Sequence, residues 1–333
     1  MTSRITWAKR IGAVVAALLL EACRGAQSAL APQSLQAERV AALFWAMTVG
    51  AAFILIGVMF VTALALFGPE SWRRWLGRDG IIVAGGIVFP VITLTALLAY
   101  GFVLMSVSDS QLVGGEPVKT AVVGERWWWR VIYRDSGGRR IESANELRIP
   151  VGRPVEIELT SADVIHSFWA PKLAGKLDMI PGRKNILTLL AKEGGVSRGQ
   201  CAEYCGGAHA LMAFYVVAMP QPEYERWLAH EAAHADAPLT PQAQAGMALF
   251  AANGCGACHA IRGTAAAGAI GPDLTHVGGR LSLAAATLPN DEAAFARWIK
   301  DNQHIKPGNL MPPYGIFSDS ELAAVSNYLA SLR

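Results

Sequence analysis

Cys201-Ala-Glu-Tyr-Cys205-Gly-Gly-Ala-His209-Ala-Leu-Met212 places two thiols, an imidazole and a thioether within twelve residues. Thiolate, imidazole and thioether together select copper, zinc or iron–sulfur over magnesium or calcium. The thioether favours copper, because structural zinc sites are built from cysteine and histidine. The competing reading is a disulfide with a chance histidine and methionine beside it. A further imidazole, His166, available from a distant part of the chain, weighs against it. Of the five cysteines, Cys201 and Cys205 lie here, Cys255 and Cys258 in a second motif, and Cys23 near the N-terminus, which leaves none for a structural disulfide.

The stretch sits among short apolar runs. Val155-Glu-Ile-Glu-Leu159 alternates, and Asn185 to Leu190 and Phe214 to Met219 are β-rich and bounded by glycine and proline. This texture predicts a small β-sandwich or barrel over 116–220. Within it, Trp127-Trp128-Trp129 reads first as a strand whose alternate members fill core and surface.

Upstream, Arg4, Lys9 and Arg10 precede the apolar run Ile11 to Leu20, too short to cross a bilayer, which is the layout of a secretory signal over 1–22. Leu20-Glu-Ala-Cys23 resembles a bacterial lipoprotein cleavage box; the other reading is a plain signal peptide with an incidental cysteine. After an N-terminal segment, 23–38, Val40 to Pro69 and Gly80 to Ser108 each run about 30 residues without a charge. About 20 suffice to cross the hydrocarbon core, so a transmembrane α-hairpin is predicted over 39–109. Arg73, Arg74 and Arg78, beside Trp72 and Trp75, put the connector on the cytoplasmic side and everything after Asp109 outside. The 53% hydrophobic content agrees, and a net charge of only +3 with dispersed basic residues excludes nucleic acid as a natural partner.

Downstream, 221–238 reads as a linker and 239–333 as a second exported domain. Thr240-Pro241 predicts a helix start, and a last helix, Asp319 to Leu332, would put Leu322, Val325 and Leu329 on one face. The Gly- and Pro-rich stretch between them predicts little regular structure, so the domain needs an internal filler. Cys255-Gly-Ala-Cys258-His259 names it, since C-x-x-C-H is the attachment sequence of covalent c-type haem, with His259 as one axial ligand. Met311, in Asn309-Leu-Met311-Pro-Pro-Tyr314, is the favoured opposite ligand; His276 and His304 compete for the role. Six basic and six acidic residues balance in 239–333, so a tether, rather than a long-range field, would keep this domain near its acceptor.

In chain order, Gly124-Glu-Arg-Trp127-Trp-Trp129, Asp163-Val-Ile-His166-Ser-Phe-Trp169, Asp178-Met-Ile-Pro-Gly-Arg183, the Cys201 to Met212 stretch and the haem motif resemble subunit II of haem–copper cytochrome c oxidases, in the caa3-type form with a fused cytochrome c. The resemblance implies a transmembrane α-hairpin, an all-β cupredoxin domain (a Greek-key barrel or sandwich) and an all-α class I cytochrome c. It implies a binuclear CuA centre bridged by Cys201 and Cys205, with His166, His209, Met212 and the backbone carbonyl of Glu203 completing the ligands. The Glu203 side chain would help hold a magnesium ion shared with subunit I, and Asp178 and Arg183 would lie at that contact. Trp127 would be the aromatic residue through which electrons reach the copper.

The implied role is to take electrons from cytochrome c or another donor and relay them through haem c and CuA to subunit I, where dioxygen becomes water. The implied partners are oxidase subunits I and III and membrane lipid, at a bacterial inner membrane with the cupredoxin and cytochrome domains on the periplasmic face. A CuA-containing nitric oxide reductase is the alternative complex. One departure from the resemblance is that Ile81 to Phe89 lacks the carboxylate by which many members admit protons, so proton uptake is not expected of this chain.

Overall fold

The computed structural model describes residues 25–105, 116–135 and 137–333. The expected signal peptide, 1–22, and Cys23 lie outside the described residues. Contacts divide the chain into two units, Glu38–Leu112 and the remainder.

The first unit is the helical pair. Helix α1 spans Leu35–Phe67 and α3 spans Asp79–Met105. At 1.5 Å per residue these 33 and 27 residues reach roughly 50 and 40 Å, more than the ~30 Å hydrocarbon thickness. Neither apolar window buries a side chain within the protein, so that surface needs lipid or another protein. The connector is itself helical, α2, Glu70–Leu76. Near its start α3 widens into a π turn at Ala84–Val88. Pro90 explains the widening: it has no N–H to donate, and its ring crowds the carbonyl four residues back, at Gly86.

In the second unit, among the described residues, ten strands form two five-stranded sheets. One sheet orders β3 (Arg140–Ala144), β2 (Trp128–Arg134), β1 (Val118–Glu125), β5 (Val155–Ser161) and β8 (Asn185–Leu189). The other orders β4 (Glu146–Pro150), β10 (Ala213–Met219), β9 (Gly195–Cys201), β6 (His166–Trp169) and β7 (Leu177–Met179). The alternation read in Val155–Leu159 is real: Val155, Ile157 and Leu159 are buried and the glutamates between them are not. Strand pairs are antiparallel except β1 with β5 and β10 with β4. Between the sheets Phe214 stacks on Phe168 at 4.4 Å and meets Trp129 edge-on at 4.9 Å. The residues before α1 belong to this unit: Gln33 N donates to Lys172 O at 2.7 Å, and Gln33 O accepts from Lys192 N at 3.0 Å.

The linker stretch carries helix α4, Gln221–Glu231, which packs on the sandwich. Tyr224 is buried, and Trp227 packs edge-on against Tyr133 at 5.0 Å. Three helices then build the C-terminal domain: α5 (Pro241–Ala252), α6 (Glu292–Ile305) and α7 (Asp319–Ser331). Thr240 caps α5 as expected, its hydroxyl accepting from Ala243 N. Leu322, Val325 and Leu329 are buried on α7, which opens with a Ser318–Glu321 capping box. Helix α6 corrects the expectation of little regular structure between these two. Asp291 caps it, and Ala294, Phe295 and Ile299 form its buried face.

Phe214→Ala should remove the centre of the aromatic cluster and destabilise the sandwich by about 3–5 kcal/mol, read as a fall in the denaturation midpoint of the detergent-solubilised protein.

Candidate metal and haem sites

The structure brings the soft ligands together at one end of the β4-to-β7 sheet. His166 opens β6 and Cys201 closes β9; a loop and a 3-10 turn at His209–Leu211 then lead through Met212 into β10. Cys201 Sγ lies 3.8 Å from Cys205 Sγ and 3.8 Å from His166 Nδ1. Cys205 Sγ lies 3.5 Å from His209 Nδ1 and 3.9 Å from Met212 Sδ. The Glu203 carbonyl oxygen is 3.2 Å from Cys201 Sγ. His166, both cysteines and Met212 are buried. Held this close, the two thiols do not ionise together: their mutual hydrogen bond draws Cys201 well below the usual thiol range and pushes Cys205 up. A soft cation that displaces the remaining proton would gain two thiolates at once.

Asp163 is the residue that motif reading does not assign. Its Oδ1 holds His166 Nε2 at 2.8 Å, which leaves Nδ1 to face the sulfur. Burial works against a charged His166, but its hydrogen bonds to Cys201 and Asp163 prevail and raise it. Burial likewise disfavours the Asp163 carboxylate, yet hydrogen bonds from His166 and the Val164 and Arg126 amides hold it below its ordinary range. Gly124 makes room for the ring: a Cβ there would stand 2.7 Å from His166 Cδ2.

The Glu203 carboxylate points away from the sulfurs to Lys176 Nζ, 3.2 Å away, and Lys176 also reaches Asp178 at 3.6 Å. All three side chains are about half-exposed.

The second cluster surrounds one largely apolar cavity, lined by Cys255, Cys258, His259 and Met311. His259 Nδ1 engages Pro272 O at 2.8 Å, which leaves Nε2 free for a metal, and burial lowers the imidazole and keeps it neutral. Of the three candidates for the opposite side only Met311 lines the cavity. His276 faces the carbonyls of Arg333 and Ala233, and His304 is exposed. The Met311 loop is fastened by Gln303, which donates to Asn309 O at 2.8 Å and to Met311 O at 3.2 Å, and by Asn302, which donates to Pro312 O at 3.2 Å. Sequence reading misses both because they lie on α6.

One independent observation suits a haem in this cavity. Arg280 lines it; one of its nitrogens donates to Asp273 O at 2.6 Å, while its buried Nε has no hydrogen-bond partner. An anionic group on the cofactor would supply that partner.

The two clusters meet at Trp127. Its Nε1 donates to Cys205 O at 3.0 Å, and its ring lines the cavity that holds Met311. The backbone of Gly308, from the cytochrome-like domain, lies against the ring, and Trp127 is only 8% exposed. Lys306 Nζ donates to Trp127 O at 3.0 Å and to Ala284 O at 2.7 Å, and burial lowers its ammonium to about 7. Arg130 reaches Ala269 O at 2.8 Å, and Leu281 N donates to Glu146 Oε2 at 2.8 Å. The domains are therefore docked by direct bonds and not merely tethered.

A family model described as cytochrome c oxidase subunit II, periplasmic domain, matches residues 133–219, and one described as cytochrome c matches residues 243–333. The chain is 34% identical to cytochrome c oxidase subunit 2 of Alkalihalophilus pseudofirmus over 288 residues, covering 84% of this chain and 82% of that one. It is 34% identical to cytochrome c oxidase subunit 2 of Bacillus subtilis over 260 residues, covering 74% and 72%. Among solved structures, the periplasmic domain of subunit II of cytochrome oxidase of Bradyrhizobium japonicum aligns with 36% of this chain and 96% of that chain, at 30% identity and a TM-score of 0.33.

Gly124→Val should push the His166 ring off Cys201 and weaken copper uptake by the metal-free protein. Titration with copper followed by absorption checks this, with haem content on the Met311 side unchanged as the control.

Proposed function

The chain belongs to the cytochrome c oxidase subunit II family, in the form that carries its own cytochrome c domain, and we propose that it receives electrons at haem c and relays them through a CuA centre to subunit I of a terminal oxidase. The observation that carries the proposal is Trp127, a single ring hydrogen-bonded to the Cys205 loop and lining the cavity of Cys255, Cys258, His259 and Met311.

In this reading Cys201, Cys205, His166, His209 and Met212, with the Glu203 carbonyl, hold the copper pair. Cys255 and Cys258 would bond the haem, and His259 and Met311 would be the residues available to its iron. Bound there, the two groups supply one-electron redox chemistry between an outside donor and the oxygen-reducing site of subunit I. The chain's own part is to hold and insulate them. The Trp129, Phe168 and Phe214 cluster beneath the sulfurs gives a rigid, dry floor. Asp163 fixes which face of His166 meets the metal. Trp127 and Gly308 exclude water from the gap between the two sites.

The Glu203 carboxylate, now paired with Lys176, is suited to turn to a magnesium ion shared with subunit I. The proposed setting is a bacterial inner membrane crossed by α1 and α3, with residues 116–220 and 239–333 as the two exported domains and 221–238 joining them. Subunits I and III and a cytochrome donor are the proposed partners.

Metal and haem analysis of the purified complex should return two copper ions and one covalent haem per chain. Cys201→Ser should abolish the mixed-valence copper signal in electron paramagnetic resonance and leave the haem. Cys258→Ala should lose one thioether bond and shift the haem absorption while the copper stays. A single copper with a mononuclear signal in the parent protein would overturn the assignment.

A further inference from the structure

Strands β11 (Ser282–Leu283) and β12 (Leu288–Pro289) pair as a small hairpin in the cytochrome domain. Its loop holds three successive non-glycine residues in the left-handed region: Ala284, Ala285 and Ala286, at φ 51°, 57° and 57°. Alanine avoids this region because its Cβ crowds the following carbonyl. Such a run persists only where its surroundings hold it, and strained backbone of this kind gathers at functional sites.

What holds this loop is the copper end of the other domain. Ala285 O accepts from Ala213 N at 3.2 Å, and Thr287 Oγ1 donates to Leu211 O at 3.2 Å. Leu211 and Ala213 are the residues on either side of Met212. Ala284 O accepts from Lys306 Nζ, which also holds the Trp127 carbonyl. Three positions of one strained turn thus reach both neighbours of Met212 and, through one lysine, the backbone of Trp127.

Met212 is buried, with its Sδ 3.9 Å from Cys205 Sγ. It follows a three-residue 3-10 turn with φ −104° and ψ 73°, outside both helix and strand. Its amide donates to His209 O at 3.2 Å and its carbonyl accepts from Cys201 N at 2.9 Å. A weakly bound thioether beside a copper thiolate tunes the potential of the site, so a small change in where Met212 stands has a disproportionate effect.

We propose that the Ala284–Thr287 turn is a clamp by which the cytochrome domain sets the position of Met212, with Thr287 as a positioning residue for the copper centre in the other domain. The inference builds on the copper-site reading above. Under it the geometry of the copper centre depends on the docked haem-bearing domain, and its spectrum and potential report that docking.

The test is Thr287→Val, with Thr287→Ser as the conservative rescue, in the full-length protein within its complex. Thr287→Val should keep two copper ions and one haem per chain and leave the haem absorption unchanged. It should shift the near-infrared copper band and the copper potential, and Thr287→Ser should return both to the parent values. Hydrogen exchange of the 211–213 amides, measured on metal-free and metal-loaded protein, should speed up by roughly tenfold in Thr287→Val, as expected for loss of one partly buried hydrogen bond. Unchanged copper spectrum and unchanged exchange in Thr287→Val would sink the clamp. A parent protein without paired copper would sink the copper-site reading instead, and exchange in the metal-free chain would still decide the clamp.

Discussion

Two buried sulfur atoms held 3.8 Å apart can carry one negative charge between them, but not two, unless a cation joins them. Much of the exported unit answers to that constraint. The sulfurs need a floor that does not move, and the Trp129, Phe168 and Phe214 cluster supplies one where two sheets meet. They need imidazoles that stay put; Asp163 grips His166 from behind, and the absent side chain at Gly124 lets the ring lie flat. They need water kept out, and the cytochrome domain closes that side over Trp127. That closeness is why Cys201 and Cys205 are shifted in opposite directions.

The features legible in the sequence are those whose chemistry is local in the chain. Cys201, Cys205, His209 and Met212 fall within one loop, so their spacing alone announces a soft metal, and the haem motif is contiguous. The two long uncharged runs speak for themselves. What stays hidden depends on meetings between distant residues. Asp163 stands inside a legible motif, yet its hold on His166 emerges only once β6 turns the ring towards it. Helix α6 is masked by the glycines and prolines around it, although Asp291 and the spacing of Ala294, Phe295 and Ile299 carry the signal. The hold of α6 on the Met311 loop is not announced within the loop, because the amides of Asn302 and Gln303 come from that hidden helix. The stretch 221–238 has the composition of a polar tether; Tyr224 and Trp227 turn it into a packed element.

Docking between the two exported domains is built from carbonyls, amides and a few buried side chains, with little reliance on complementary surface charge. That suits a domain whose acidic and basic residues balance. It also places its cations unusually. Arg130 crosses to Ala269 O while paired with Glu125 and Glu142, and Lys306 is enclosed with two carbonyls as its partners. Bonds of this kind are shielded from solvent and are little weakened by salt. A contact so made fixes orientation as well as proximity.

The covering of Trp127 has a bearing on traffic from outside. In a chain whose copper loop faced open solvent, any diffusible carrier of the right charge could unload there, and throughput would follow the abundance of each. Here Gly308 and Lys306 cover Trp127. Under the proposed relay a visiting carrier would be left the cytochrome domain's outer surface, where Ile270, Leu310 and Ile316 stand exposed. The choice of carrier is thereby separated from the metal chemistry, and either surface can change without retuning the other.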